Sequence, residues 1–174
     1  FIVDDAVSLW TSPSGFWSFS PSGNPPSASD SPDGPVVEKG GVAERIRNLY
    51  PSPDSTPAQT RRIYTCTDAC LATTSAPLAN YPFNGATISP SSASNIAAFG
   101  ASDSTEVTSI INWVRGQDNA ADENLNGSLS DVRASVHGDV LHSRPAVVNY
   151  NRYGDDNDVV VYYGSNDGLF RAVK

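Results

Sequence analysis

The sequence predicts a mainly β fold, a fragment of a (modified) β-propeller with antiparallel blade strands, two short helices and long loops. Three observations between residues 136 and 174 predict it. Asp158-Val-Val-Val-Tyr-Tyr-Gly164 is a run of β-branched and aromatic residues bounded by turn formers. It does not alternate apolar with polar, which suits a strand covered on both faces. Gly164-Ser-Asn-Asp-Gly168 supplies hairpin chemistry, and Leu169 to Val173 returns as the partner strand. Upstream, Pro145 opens a strand through Ala146, Val147 and Val148, because a first-position proline costs no central ladder bond. Three short strands so closely spaced are blade-like. A propeller needs at least about four blades of about 40 residues each, and only this stretch reads cleanly as one. Residues 136–174 are therefore read as blade strands and hairpin, residues 1–135 as the N-terminal part of the same domain with insertions, and the remaining blades are expected beyond Lys174.

Taken in order, Phe1 to Pro35 is aromatic but broken. Phe1-Ile-Val and Phe16-Trp-Ser-Phe are short strand candidates, and Asn24 to Pro35 is a loop by composition. Trp10 and Trp17 are candidate sugar-binding rings; the competing reading is that such rings plug the end of a sheet. A first helix is expected near 42–50, with Val42, Ile46 and Leu49 on one face, Glu44 in the first turn, and Pro51 as the stop. Pro51 to Gln59 is a loop. Arg61 to Cys66 reads as a strand. Leu71 to Pro90 carries no clear pattern, and Ser94 to Phe99 is a candidate helical turn. The best helix is expected over 104–115: Asp103 caps it, Glu106 completes a box-like start, Val107, Ile110, Ile111 and Val114 form its stripe, and Gly116 ends it. That stripe is expected to pack on a sheet.

Composition removes several function classes. The chain has 174 residues and a net charge of -8, from 19 acidic and 11 basic side chains. Nucleic-acid partners normally need a basic patch, and anionic lipid needs cationic segments. No apolar run approaches the roughly 20 residues of a membrane span. The chain has no methionine, so a fragment, a processed form or an excised piece is expected, and a processed form would have lost any signal peptide. Cys66 and Cys70, spaced C-x3-C, are read first as a small local disulfide in an oxidising compartment and second as two free thiols. A zinc set with His137 and His142 fails on spacing, since zinc-finger pairs stand about 12 residues apart.

The candidate metal site follows the second helix. From Asp122 the chain reads D-x-N-x-N-G-x-x-x-D. Alternate residues of such a loop direct oxygens at one point, a glycine at the sixth position allows the sharp turn, and calcium accepts six to eight hard oxygens. Asp122, Asn124 and Asn126 offer side-chain oxygens, Ser128 a main-chain carbonyl, Ser130 an oxygen directly or through water, and Asp131 closes the shell. Arg133 stands where an EF-hand has its bidentate Glu. The competing reading is a solvated polar turn. Asp155-Asp-Asn-Asp158 reads as turn residues. Asn126-Gly-Ser128 also fits a glycosylation sequon. Arg115-Gly-Gln-Asp118 misses the integrin-type tripeptide by one inserted residue.

Ser135, His137, Asp139, His142 and Ser143 crowd together, but a triad needs its members aimed at one another, and residues in one short segment entering a strand mostly point apart. No nucleophile elbow or phosphate loop is present. His142, Ser143 and Arg144 are expected to hydrogen-bond between strands.

The string GDVLHSRPAVVNYN, followed by DVVVYYGSNDGLFRAV, resembles the C-terminal β-propeller of the PilY/PilC family of type IV pilus tip proteins. Members typically read GD-hydrophobic-xHSxP, then a strand, then YxGxNDGxxxAF. The match covers roughly the last 60 residues, with weaker upstream matches at Gly40-Gly-Val-Ala-Glu44 and Asn112-Trp-Val-Arg-Gly116. Leu169 stands where methionine is common and Arg171 where histidine is common. The resemblance implies a non-enzymatic pilus-tip adhesin and biogenesis factor of a Gram-negative bacterium, involved in twitching motility and virulence. It would reach the cell exterior through the periplasm, stay at the pilus tip or outer membrane, dock on minor pilins through other parts of the chain, and contact host or abiotic surfaces. It also implies calcium, since the family is known for acidic calcium loops. Two other classes remain open: a quinone-dependent dehydrogenase propeller holding pyrroloquinoline quinone, whose adjacent cysteines this chain lacks, and a lectin-like module using Trp10 and Trp17.

Overall fold

The computed structural model describes residues 41–47, 49, 61–66, 77–120, 127–132, 136–154 and 156–174. The expectations for Trp10, Trp17 and the rest of 1–40, for the 51–59 loop, and for Cys70, Asp122, Asn124, Asn126, Ser135 and Asp155 lie outside those residues.

Helix α1 spans Gly41–Arg47. It buries Ala43 and stops short of the expected end. Leu49 N–H donates to the Ile46 carbonyl at 3.1 Å, so the chain tightens beyond the helix. Leu49 is consequently exposed rather than part of the apolar stripe.

Arg61 to Cys66 does not form the expected strand. It is extended, but it pairs only through a bridge between Tyr64 and Pro82. Thr65 N–H donates to Tyr81 O at 2.9 Å, and Phe83 N–H to Ile63 O at 2.8 Å. The partner segment cannot lengthen this pairing. A 3-10 turn occupies Leu78–Asn80 on one side, and a turn anchored on Asn84 follows on the other, its Oδ1 accepting from the amides of Ala86 and Thr87 at 3.0 Å each.

Helix α2, Ala93–Phe99, ends on Gly100 at φ 63. Helix α3 spans Ser104–Arg115. Asp103 Oδ1 accepts from the amides of Thr105 and Glu106 at 2.8 and 2.9 Å, satisfying two of the orphan donors of a helix start. The box closes one residue earlier than a standard capping box, because Ser102 offers two donors, its amide and its hydroxyl, each 2.7 Å from Glu106 Oε2. Those bonds hold the Glu106 carboxyl below its ordinary pKa.

The stripe of α3 is packed, but not on a sheet. Val107 and Ile111 are fully enclosed with Ile88, and Phe83, Ile96, Phe99 and Ala101 close around them. Phe83 meets Phe99 edge-on at 6.4 Å. Each of these aliphatic side chains contributes about 1.5–3 kcal/mol by leaving water. Two buried arginines tie this small core outward. Arg115 Nη1 donates to Phe83 O at 3.0 Å. Arg61 donates to Val114 O near the end of α3 at 2.8 Å and to Val136 O at 3.3 Å.

The C-terminal strands form one antiparallel sheet in the order β1-β2-β3: β1 is Ala146–Asn149, β2 is Val159–Gly164, and β3 is Phe170–Val173. Val148 faces Val160 and Tyr162 faces Ala172. This three-stranded sheet with few helices agrees with the mainly β expectation. The expectation that β2 is covered on both faces does not hold for these residues. Only Tyr163 of β2 is buried, and all four residues of β1 are exposed. One face carries Val148, Tyr162 and Phe170, with Tyr162 stacked on Phe170 at 6.0 Å and sharing a 2.6 Å hydroxyl contact with Tyr150. Phe170 is 76% exposed there.

Candidate functional site

Two regions gather polar chemistry: the loop after α3 and the segment facing the β2–β3 turn.

The loop is pinned at its base. Gln117 bridges Val132 in antiparallel fashion, Asp118 N–H donates to Asp131 O at 2.9 Å, and Gln117 Nε2 donates to Leu129 O at 2.9 Å. Gly127 takes φ 85, the left-handed turn that the sixth position of a calcium loop requires. Of the expected ligands, Ser128, Ser130 and Asp131 are described. Ser128 and Ser130 hydroxyls lie 3.3 Å apart, while Asp131 is buried beside Asp118 at the base. The Oδ1 atoms of Asn119 and Asp131 are enclosed and accept no hydrogen bond among the described residues; Asp131 is held through its other atoms, among them the carbonyl just named. Asn119 Nδ2 is fixed on α3, donating to Ser109 O at 2.9 Å and to Ser109 Oγ at 3.0 Å. Sequence spacing did not point to Asp118 or Asn119. Only the fold shows that they stand at the base where the loop is pinned. No group of three or more His, Cys, Asp or Glu side chains suited to a metal occurs among the described residues. Cys66 is disulfide-bonded.

The second region joins the strap 137–143 to the turn 165–168. Gly138 N–H donates to Asp167 Oδ2 at 3.1 Å, Asn166 N–H to Asp139 O at 2.9 Å, and Gly164 N–H to Ser143 Oγ at 2.8 Å. Beneath them Arg171 clamps both oxygens of Asp167 and also reaches Ser165 Oγ. Burial raises the Asp167 carboxyl, but bonds from Ser165 and Arg171, the Arg171 charge and the Gly138 amide outweigh it and bring the pKa to about 2. His137 Nε2 lies 2.7 Å from the Tyr163 hydroxyl, whose own pKa burial pushes up. Of the crowded Ser/His/Asp residues, Ser143 holds the hairpin as expected. His137 meets a tyrosine, and Asp139 contributes its carbonyl.

A third cluster, not foreseen, closes the β1–β2 connection. Asp158 is fully buried and takes a two-pronged contact from Arg152, 2.7 Å on each oxygen. Lys174 adds a contact at 3.3 Å. Arg152 lies over the rings of Tyr150 and Tyr153 at 5.6 and 5.7 Å. The Arg152 hydrogen bonds hold the Asp158 carboxyl well below the usual carboxylate range. The acidic run that reads as turn residues therefore ends in a structural ion pair.

No helix among the described residues is long and apolar enough to cross a membrane. No family model, curated protein or solved structure matches the chain.

Proposed function

We propose that the chain is a piece of the propeller of a non-enzymatic type IV pilus tip adhesin and pilus biogenesis factor, exported by a Gram-negative bacterium. One observation carries the reading. The two strings on which the family resemblance rests, one beginning at Gly138 and the other ending at Val173, meet through the Gly138–Asp167 and Ser143–Gly164 bonds. They act as one interlocked structural unit, in which the Asp167 and Ser143 side chains hold backbone amides. The sheet face carrying half-buried Tyr162 with exposed Val148 and Phe170 supports a unit made to lie beside further blades. The test is genetic. Deleting residues 136–174 from the full-length protein in its bacterium is expected to abolish surface pili and twitching. Normal piliation and motility in that strain would overturn the assignment.

Calcium forms part of the proposal. What supports a hard cation is that Asn119 Oδ1 is enclosed and accepts no hydrogen bond among the described residues, in a loop base where Asp118 and Asp131 are also buried. Asp122, Asn124, Asn126, Ser128 and Ser130 would complete the oxygen set. Calcium bound there would cross-link the loop to α3 and stiffen it. Isothermal titration should give calcium binding that Asn119→Ala weakens at least about tenfold. Absence of heat at millimolar calcium would remove the metal from the proposal while leaving the pilus reading standing.

A further inference from the structure

His137 sits where the strap meets the hairpin. Its ring lies 5.8 Å from the ring of Tyr163, and its Nε2 contacts the Tyr163 hydroxyl. Tyr163, Arg171 and Arg61 around it are all buried. The charged groups acting on the imidazole come from three other segments: Arg171 on β3, Asp167 in the β2–β3 turn, and Arg61 in the 61–66 segment. Two are guanidinium groups and one is a carboxylate. That carboxylate already accepts from Arg171, Ser165 and the Gly138 amide. A proton added to His137 would place a third positive charge beside these two guanidinium groups, where the Asp167 carboxylate is already engaged.

We propose that the strap 137–143 is a proton-operated latch, closed on the 165–168 turn while His137 is neutral and released when its imidazole is protonated. The groups around the imidazole set the direction. Burial and the Arg171 charge lower the His137 pKa and Arg61 adds to them, against Asp167 and the Gly138 backbone, which raise it. The closed form therefore binds the proton less readily than the open one. The latch keeps its full stability above about pH 6.5, the ordinary histidine value, and loses it as pH falls toward the depressed value.

Three amides report the latch directly: Gly138, donating to Asp167; Asn166, donating to Asp139; and Gly164, donating to Ser143. Hydrogen exchange on the 174-residue chain, expressed as protection factors to remove the intrinsic pH effect, gives the test. Between about pH 7.5 and about pH 5, protection of these amides should fall roughly tenfold relative to amides of the β1–β2 ladder. The fall should vanish in His137→Gln and persist in His142→Gln, which replaces the chain's other histidine. Unchanged relative protection in the native chain, or a fall that survives His137→Gln, would overturn the proposal. A direct imidazole titration needs no substitution at 137: a His137 midpoint below about 6.5, in step with the loss of protection, is expected, and one at or above that value overturns it.

Discussion

Gly138 and Asp167 touch so closely that no side chain fits between them. A Cβ at position 138 would stand 2.7 Å from the Asp167 amide nitrogen and 2.9 Å from its Cβ. The neighbour is backbone inside a turn, so it cannot swing away as the tip of a flexible side chain would. Gly138→Ala is expected to destabilise the C-terminal unit by about 1–3 kcal/mol through overpacking, plus what is lost when the Gly138–Asp167 bond lengthens. Urea unfolding followed by tyrosine fluorescence measures it, with Gly154→Ala as a comparison: it has open space around its Cβ position and carries only the strain of a positive φ.

Asp167 gives the unit an acid limit. Its carboxyl pKa is depressed to about 2, so the folded state holds the proton less tightly than the unfolded chain does. The stabilisation is complete above about pH 4, the ordinary carboxylate value, and is lost as pH falls toward 2. Allowing for partial solvent screening, it amounts to about 1–2 kcal/mol. Stability measured against pH should show this slope in the native chain and lack it in Asp167→Asn, which should also be the less stable protein at neutral pH.

The α2–α3 core should behave as a separate packing problem. Ile111→Ala is expected to cost about 2–5 kcal/mol, since the surrounding rings of Phe83 and Phe99 cannot fully collapse into the space. Asp103→Ala, which removes the acceptor for two amides, should cost about 1 kcal/mol. Circular dichroism melts of both variants check the ranking, and the two costs should add, because the sites share no partner.

At the β1–β2 end, Asp158→Asn keeps the shape of the side chain and removes its charge. Arg152 then loses the anion beneath it while remaining between two tyrosines. The melting temperature is expected to fall clearly, and to fall further than in Lys174→Gln, whose contact is the longer at 3.3 Å. Because the Asp158 carboxyl is held low by Arg152, its contribution too is present above the unfolded carboxylate pKa and is lost in acid.

Local chemistry was legible in the sequence where local chemistry decides. The cap at Asp103, the stop at Gly116 and the Gly164–Gly168 turn each depend on residues within a few positions, and their elements fall where expected. The strand expected at Arg61–Cys66 failed because extended propensity needs a partner, and that partner is cut short by turns on both sides of the Tyr64–Pro82 bridge. The stripe of α3 was read correctly as buried, but periodicity cannot say against what. The Asp158 cluster, Asn119 at the loop base and the burial of Arg171 were not legible at all. Each pairs residues through the tertiary fold, and nothing in the spacing of Arg152, Asp158 and Lys174 announces that they converge. In the loop after α3, Gly127 was legible from turn chemistry, whereas the fixing of Asn119 on Ser109 was not.

Arg61 is made early and used late. Its guanidinium bonds to Val114 and Val136, the latter 75 positions further along. At a synthesis rate of roughly 5–20 residues per second, that acceptor leaves the ribosome several seconds after the arginine does. Until then the tie that Arg61 makes between the α3 end and residue 136 cannot form. The two ends of that bond are joined only once residue 136 has been made, so the tie it provides is among the later ones to form.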